Sequence, residues 1–412
     1  MAAALTVAVF ARTYLLANVS AEQLDADLAF AQAASRVSEQ GWIGLRPEIT
    51  MGQPAGLAYA LALWTSVFGD TVVGVRLLAT VLGLASLALF HLLCRRMFGQ
   101  RPALIGSLLL AFSVWHLYYS RLALPVIFLL TLELLALHLV LRAFAERPDS
   151  ERQRWLLVLA GLSFGATAYV HNAFFIFAVA MLLIWAWEYM DSERRARDVL
   201  GSAAVFFLTA LIVAMPYLVA LAGDADRAGD HVHQVALTST PEYMEREGVS
   251  EQASYVLANI GRTAAAVLLR RDVGAFQGGE TAKLLDPVTA LLALIGLAAG
   301  LWRLGKRGHA YVWILFVAGI VAAGLTSEAG MFGRLIVILP AVFGAAGFGL
   351  HWLLTWLKGR MSDAVAYGLV ALLLAFVAFH NLNSFFDETG GMAASLGAVT
   401  GEPASAGDGR AK

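Results

Sequence analysis

The chain has 412 residues, of which 59% are hydrophobic and 14% are charged, and its formal net charge is −1. Ordinary soluble domains carry about 25% charged residues, so the composition excludes such a domain and predicts a polytopic membrane protein in contact with the lipid bilayer. The near-neutral charge gives no indication of a nucleic-acid partner. The single cysteine, Cys94, excludes an intramolecular disulfide and a cysteine-based metal cluster.

Apolar runs of roughly 18–22 residues recur along the chain, each about long enough to cross a 30 Å hydrocarbon core. They predict an all-α fold with about eleven membrane-spanning helices. The predicted spans are 2–18, 72–93, 102–118, 123–143, 155–171, 173–189, 199–222, 287–303, 310–326, 335–356 and 364–381. The first span is expected to be an uncleaved signal-anchor, because no convincing small-residue cleavage site follows it.

When the predicted spans cross the membrane in alternating directions, five short connections rich in Lys and Arg lie on the same side. The positive-inside rule makes that side cytoplasmic. They are CRRMFGQR, RAFAERPDSERQR, EYMDSERRARD, WRLGKRGH and LKGR. The N-terminus is then cytoplasmic and the C-terminus outside, as in a multi-pass protein of a bacterial plasma membrane. Residues 1–386 are predicted to form one membrane domain with two long outer loops, 19–71 and 223–286. The tail 387–412, rich in Gly, Ala and Ser, is predicted to be a disordered outer segment.

Both long outer loops contain helix-like stretches. In the first loop, four apolar residues recur at helical spacing, Leu28, Ala31, Ala34 and Val37. Gly41 ends that run, so the pattern predicts a helix lying along the membrane surface. In the second loop, GVSEQASYVLANIGRTAAAVLLRR predicts another helix, which is too polar to span the membrane.

Two acidic residues, Asp25 and Asp27, follow directly on the first span. A carboxylate pair on the outer surface can act as a general base or hold a divalent cation, because oxygen ligands suit hard metals. The alternative is that the pair caps and solvates the start of the following helix. A second pair, Asp224 and Asp226, opens the other long outer loop, where a solvated loop is the favoured interpretation.

Short motifs follow the first acidic pair in a fixed order: Gln53-Pro54, Phe68-Gly69, Arg76-Leu77, Phe98-Gly99 and the Ser-Arg turn of YYSRLALP. Late in the chain come LLDPVTALLALIGLAAGLWRL and EAGMFGRLIVILPAVFGAAGFGL, the latter with an Arg just before a Pro-containing helix. In order, spacing and sidedness these segments resemble the C-type glycosyltransferases that depend on polyprenyl-phosphate sugars. The resemblance is to the family of the protein O-mannosyltransferases and the lipid A aminoarabinose transferases, and it covers roughly residues 1–350.

The resemblance implies a membrane fold of the C type and transfer of a sugar from a polyprenyl-phosphate-linked donor to a protein, lipid or glycan acceptor outside the membrane. It implies that Asp25 or Asp27 is the catalytic base. Which of the two matches the family's acid is open, because most members have Asp-Glu or Asp-Gly where this chain has Asp-Ala-Asp. Gln53 stands where the family has His or Lys, and it is the expected substrate contact of that turn.

Transfer from such a donor also needs cations that stabilise the departing phosphate, and Arg or Lys at the outer ends of spans can pair with it. Arg121 and Arg334 stand at that level, although arginines that snorkel at helix ends are common. His171 and Asn172, at the tip between two spans, are candidate contacts for the sugar or the acceptor. An ordinary polar turn is the alternative for these two residues.

Other classes of protein have to be weighed against this interpretation. A secondary transporter would show broken helices, ionisable residues near the midplane and a pseudo-repeat, whereas the polar residues here gather on one face and in two outer loops. A lipid-linked saccharide polymerase or ligase would use related chemistry. A catalytically inactive relative would keep the fold without the transfer.

Overall fold

The computed structural model describes residues 2–14, 16–17, 21–50, 52–191, 195–223, 236–268, 284–327 and 333–388. Within these ranges the chain is helical, and extended pairing is limited to an isolated antiparallel bridge between Ala236 and Thr326. The prediction of an all-α fold is therefore confirmed. The pair Asp224 and Asp226 lies outside the described residues, and so does the tail from residue 389 onward.

The α-helices are α1 Ala2–Thr13, α2 Ala21–Gln40, α3 Gly56–Phe68, α4 Val72–Phe98, α5 Gln100–Ala111, α6 Val114–Tyr119, α7 Pro125–Ala143, α8 Glu151–Ala166, α9 Phe174–Asp191, α10 Ala196–Gly223, α11 Pro241–Met244, α12 Val249–Leu268, α13 Pro287–Leu301, α14 Arg307–Gly324, α15 Leu339–Lys358 and α16 Asp363–Glu388. Short 3₁₀ helices cover Glu48–Thr50, Thr167–Tyr169, Leu237–Ser239 and Arg334–Ile338.

Within the described ranges, six of these segments are long and apolar enough to cross a membrane. They are Val72–Phe98, Pro125–Ala143, Ala196–Gly223, Arg307–Gly324, Arg334–Lys358 and Asp363–Phe386. The helices α3, α9 and α13 are apolar but shorter. Several spans are thus present, as predicted, while the count of eleven stays a prediction.

The short Phe-Gly motifs of the sequence mark helix ends in the structure. Gly69 follows α3 with φ of 84°, and Gly99 follows α4 with φ of 88°. Glycine adopts this backbone conformation without the steric cost that other residues incur. Gly41 ends α2 in the same way, with φ of 77° and its N–H bonded to the Val37 carbonyl over 2.8 Å. The predicted end of the surface helix is therefore correct.

Two predicted boundaries are wrong. The span predicted over 102–118 is interrupted after Ala111, because the Ser113 side chain accepts from the His116 N–H and starts a new helix, α6. The last helix also runs through Glu388, so the first two residues of the predicted tail 387–412 are helical rather than disordered.

The surface helices form a small core of their own, separate from the main one. Residues of α2, α3, the start of α4 and the segment before α7 meet in it: Phe30, Ala34, Leu57, Leu61, Ala62, Val75 and Ala123. Phe30 is 2% exposed, whereas Leu28, predicted to lie on the apolar face, is 43% exposed. The buried side of α2 thus contains Phe30 in addition to Ala31, Ala34 and Val37, and it leaves Leu28 out.

The main core is built around α15 and α7, while α10 and α16 are the least buried of the six long apolar segments. Glycines let α13 and α15 approach closely. A Cβ added at Gly296 would overlap the Ala345 carbonyl, and one at Gly349 would overlap the Leu292 carbonyl. Small residues of this kind are typical of contacts between helices in membranes.

A buried arginine joins α1 to the bundle. Arg12 is fully buried, and its Nη1 donates to the carbonyls of Ala8 (2.9 Å) and Ala111 (3.0 Å). Its Nη2 donates to Nδ1 of His116 over 2.8 Å, and Nε2 of that ring lies 2.9 Å from Oγ of Ser86. Because Nδ1 accepts from the arginine, Nε2 carries the proton that bonds to Ser86.

The opposite end of the bundle has a charged cluster. Glu188 of α9 is fully buried and accepts from Nε and Nη2 of Arg307, the latter over 3.0 Å. The Tyr311 hydroxyl donates to the same carboxylate over 2.8 Å. The bidentate pair, a geometry suited to arginine and carboxylate, fixes α9 against α14.

Candidate functional site

The opening acidic pair lies inside a helix rather than in front of it. Asp25 and Asp27 are the fifth and seventh residues of α2, which begins at Ala21, so neither residue is the N-cap that the capping alternative required. Their side chains lie outside the part of the chain that the structure describes. Positions two apart in a helix lie on different faces, and this disfavours a shared role of the two residues at one centre.

The Gly52-Gln53 turn meets the tip between α8 and α9. Oε1 of Gln53 accepts from the backbone N–H of Asn172 over 3.2 Å, and Nδ2 of Asn172 donates to the Gly52 carbonyl over 3.2 Å. The Tyr217 hydroxyl of α10 donates to Oδ1 of Asn172 over 3.3 Å. Two predicted contact residues thus bond each other, and we call this set of four residues the outer junction.

His171 borders the outer junction. It is 9% exposed, and its Nδ1 accepts from the Ala173 N–H over 3.0 Å. That bond leaves Nε2 as the protonated nitrogen of a neutral ring. The structure therefore places all three predicted residues of this region, Gln53, His171 and Asn172, at one place, and gives Asn172 a supporting role through both ends of its amide.

Arg121 connects α1 to the segment between α6 and α7. Its Nη1 donates to the carbonyls of Ala11 (2.7 Å) and Tyr14 (2.8 Å). The guanidinium also stacks on two rings of α16, Phe385 and Phe386, each with its centroid 5.6 Å away. These contacts hold helix ends together, a role that the sequence did not indicate.

Burial, and the nearby charge of Arg76, lower the pKa of Arg121 to about 10, so the guanidinium stays charged at neutral pH.

Arg334 begins a 3₁₀ helix that packs on α7. A Cβ added at the preceding Gly333 would lie 3.6 Å from the Tyr119 hydroxyl. The two predicted arginines therefore belong to neighbouring turns at the same end of the bundle.

The turn that carries Arg121 also packs with the surface helices. Ala123, two residues after Arg121, is buried in the small core together with Phe30 of α2 and Leu57 of α3. The helix that carries the acidic pair and the turn that carries Arg121 thus share one packed unit.

Two arginines of the first outer loop, Arg36 and Arg46, were not among the predicted site residues. A cavity of about 420 Å³ is lined by Arg36 of α2, residues 43–49 and Ala220 of α10. Nη2 of Arg46 donates to the Gly52 carbonyl over 3.3 Å. Arginines on the outer face run against the positive-inside bias, so both residues could have been predicted as candidates on the same ground as Arg121 and Arg334.

A metal site finds no support among the residues that the structure describes, since no group of three or more His, Cys, Asp or Glu side chains is placed to hold an ion. A divalent cation at Asp25 and Asp27 stays a prediction.

Residues 52–220 match the family model described as dolichyl-phosphate-mannose-protein mannosyltransferase. Over 179 residues the chain is 31% identical to an undecaprenyl phosphate-alpha-4-amino-4-deoxy-L-arabinose arabinosyl transferase of Pseudomonas aeruginosa (strain UCBPP-PA14). A Pseudomonas paraeruginosa transferase of the same name is equally similar. The match covers 42% of this chain and 31% of each relative, so the chain spans about a third of the length of these curated relatives.

Solved structures share the fold. ArnT from Cupriavidus metallidurans, bound to undecaprenyl phosphate, superposes with a TM-score of 0.59 at 16% identity, covering 91% of this chain and 62% of that one. The archaeal oligosaccharyltransferase AglB from Archaeoglobus fulgidus, in complex with an inhibitory peptide and a dolichol-phosphate, gives 0.59 at 15% identity, covering 93% and 54%. The family model and the Pseudomonas relatives confirm the resemblance found in the sequence, and the solved structures confirm the fold.

Proposed function

We propose, from its confirmed resemblance to the protein O-mannosyltransferase and aminoarabinose transferase-like family of C-type glycosyltransferases, that this chain is a membrane glycosyltransferase. It moves a sugar from a polyprenyl-phosphate-linked donor to a protein, lipid or glycan acceptor on the outer side of the membrane. One aspartate of the first outer loop, Asp25 or Asp27, is the general base. The lipid bilayer supplies the donor.

The observation that carries the proposal is the extent of the family match. It begins at residue 52 and ends at residue 220, so it contains the whole outer junction from Gly52 to Tyr217. The region that resembles the family is therefore the one in which Gln53, His171 and Asn172 come together. Arg121 lies within the same region.

The chemistry of the site is consistent with this activity. Inverting transfer needs a base for the acceptor hydroxyl and positive charge where the phosphate departs. Arg121 is charged at neutral pH, as argued from its pKa of about 10, and the turn that carries Arg334 lies beside it. Phe30, of the helix that carries Asp25 and Asp27, belongs to the same small core as Ala123, two residues after Arg121.

The proposed topology has about eleven spans, a cytoplasmic N-terminus, an outer C-terminus and a bacterial plasma membrane. Contacts between loops support it. Loop residues assigned to the outside contact one another, as Gln53 does with Asn172. Residues assigned to the cytoplasmic side do the same, as Glu188 does with Arg307.

The test is an assay of purified protein, reconstituted with polyprenyl-phosphate-linked sugars, in which mass spectrometry follows the release of polyprenyl phosphate. Release that depends on an added acceptor would support the proposal. Uptake of a solute by proteoliposomes without release would favour a transporter. Lipid-linked chains that grow in length would favour a polymerase. Donor binding without release would identify an inactive relative.

A further inference from the structure

The cavity beside the outer junction has a preformed wall. Its loop, residues 43–49, is held by Tyr59 of α3, whose hydroxyl donates to the Gly44 carbonyl (2.9 Å) and accepts from the Ile43 N–H (3.1 Å). The Ala55 N–H bonds to the Leu45 carbonyl over 2.8 Å. A loop fixed in this way loses little freedom when it binds a ligand.

Arg46 has donors that no described residue uses. Its Nη2 donates to the Gly52 carbonyl, whereas its buried Nε and Nη1 have no hydrogen-bond partner among the residues that the structure describes. Unmade hydrogen bonds of buried charged donors are costly, so a ligand or water that accepted them would be bound favourably. A guanidinium is well suited to an oxyanion, because its planar fork matches two oxygens of a phosphate.

The rest of the lining indicates what kind of anion fits. Arg36 adds a second positive charge and Glu48 one negative charge, so the charged lining carries a net positive charge. The apolar lining comes from Ile43, Leu45, Ile49 and Ala220. A ligand with a charged head and a hydrocarbon body satisfies both parts of the cavity.

The position of the cavity points to the membrane as the source of this ligand. Ala220 lies near the end of α10, one of the six helices able to span the membrane. The neighbouring Val219 is 62% exposed and Ile212 is 74% exposed, as expected of side chains that face lipid. The cavity therefore lies at the level where a lipid phosphate would stand.

We infer that Arg46, with Arg36, binds the phosphate of a polyprenyl-phosphate lipid in this cavity. The inference rests on the proposed function and deepens it: Arg46 supplies the positive charge next to Gln53, and the donor phosphate stands at the outer junction.

The experiment measures the affinity of the full-length protein in nanodiscs for undecaprenyl phosphate by native mass spectrometry, with phosphatidylglycerol and inorganic phosphate as separate probes. Arg46→Gln removes charge-assisted bonds and is expected to weaken binding of undecaprenyl phosphate by about tenfold or more. Arg36→Gln is expected to weaken it less. Glu48→Gln, which removes a repelling charge, is expected to tighten binding about two- to fivefold, a direction that misfolding cannot produce.

The matched control is Arg262→Gln, an exposed arginine that stacks on Tyr255 with 5.4 Å to the ring centroid and does not line the cavity. It should bind like the wild type. Thermal unfolding of each variant reports its folding.

If wild type binds and transfers but Arg46→Gln keeps its affinity, the inference is overturned and the proposed function stands. If wild type binds phosphatidylglycerol through Arg46 but not undecaprenyl phosphate, the lipid source is wrong and the proposed donor fails with it. If only inorganic phosphate binds, or if no probe binds, the lipid-phosphate site is overturned.

Discussion

The side chain of Gln53 and the backbone of Asn172 are joined by a hydrogen bond of 3.2 Å although they are 119 residues apart in the chain. The bond connects the first outer loop to the tip of the α8–α9 hairpin. Both residues were predicted to contact substrate, and their bond to each other makes them the frame of the outer junction.

The outer junction should depend on the Asn172 amide. In Asn172→Ala, the Tyr217 hydroxyl loses its acceptor and the Gly52 carbonyl loses one of its two donors, and we expect a loss of about 1–2 kcal/mol in unfolding free energy. Limited proteolysis should become faster in the loop 43–53. Tyr217→Phe removes one of these bonds and should show a smaller effect in both measurements. Proteolysis at the wild-type rate in Asn172→Ala would show that the amide does not hold the loop.

We expect one residue of the acidic pair to be essential for sugar transfer and the other to be dispensable. Because positions 25 and 27 lie on different faces of α2, we expect Asp25→Asn or Asp27→Asn, but not both, to lower turnover by about 10²–10⁴-fold. Folding and donor binding should be kept. The release assay measures turnover.

The control for Asp25 and Asp27 is the second acidic pair, Asp224 and Asp226. Asp224→Asn and Asp226→Asn should leave transfer unchanged. Full activity in both opening variants would mean that the first pair is only part of a helix, and the proposed general base would be wrong.

The carboxylate of Glu188 should contribute strongly to stability. It is fully buried and accepts from Arg307 and Tyr311, so Glu188→Gln is expected to cost about 1.5–3 kcal/mol. The matched control is the pair of exposed Arg152 and half-buried Glu146, 3.1 Å apart, where Arg152→Gln should cost roughly 0–1 kcal/mol. Thermal unfolding in one detergent compares them, and equal midpoints would refute the difference.

Close packing of α13 on α15 should not tolerate a methyl group. Gly296→Ala would drive a Cβ into the Ala345 carbonyl, and overpacking of this kind costs about 1–3 kcal/mol. Gly201, inside α10, has open space around its Cβ position, so Gly201→Ala should be neutral or gain up to about 1 kcal/mol. The unfolding midpoints of the two variants should therefore move apart, and parallel shifts would argue against the close contact.

The proposed topology predicts which surface positions are reachable from outside. The native Cys94 is buried and should react little with a membrane-impermeant thiol reagent. Glu242→Cys should be labelled in intact cells, whereas Arg152→Cys should be labelled only after permeabilisation. Labelling of both variants in intact cells would refute the assignment of sides.

Local features were largely predictable from the sequence, because they depend on neighbouring residues. Gly41 ends α2 as predicted, and the Phe-Gly motifs fall at the ends of α3 and α4. The break at Ser113 was missed, since an apolar run of suitable length hides a single side-chain cap.

Long-range partners could not be predicted in the same way. The composition around Arg121 marks it as an outer arginine, yet only the fold brings the Ala11 and Tyr14 carbonyls to it. Arg46 is an outer arginine like Arg121, but its interest comes from the cavity that α2, α10 and the loop enclose together, which only the fold shows.

The buried position of Arg12 has a consequence for how the protein is assembled in the membrane. Its acceptors on the far side, Ala111 and the His116 ring, are synthesised about a hundred residues later. Until they have emerged, Arg12 lacks these acceptors, and an arginine in the last turn of α1 can reach the interface by snorkelling. Final docking of α1 must therefore wait until α6 has emerged, although its contacts with α4 are available earlier.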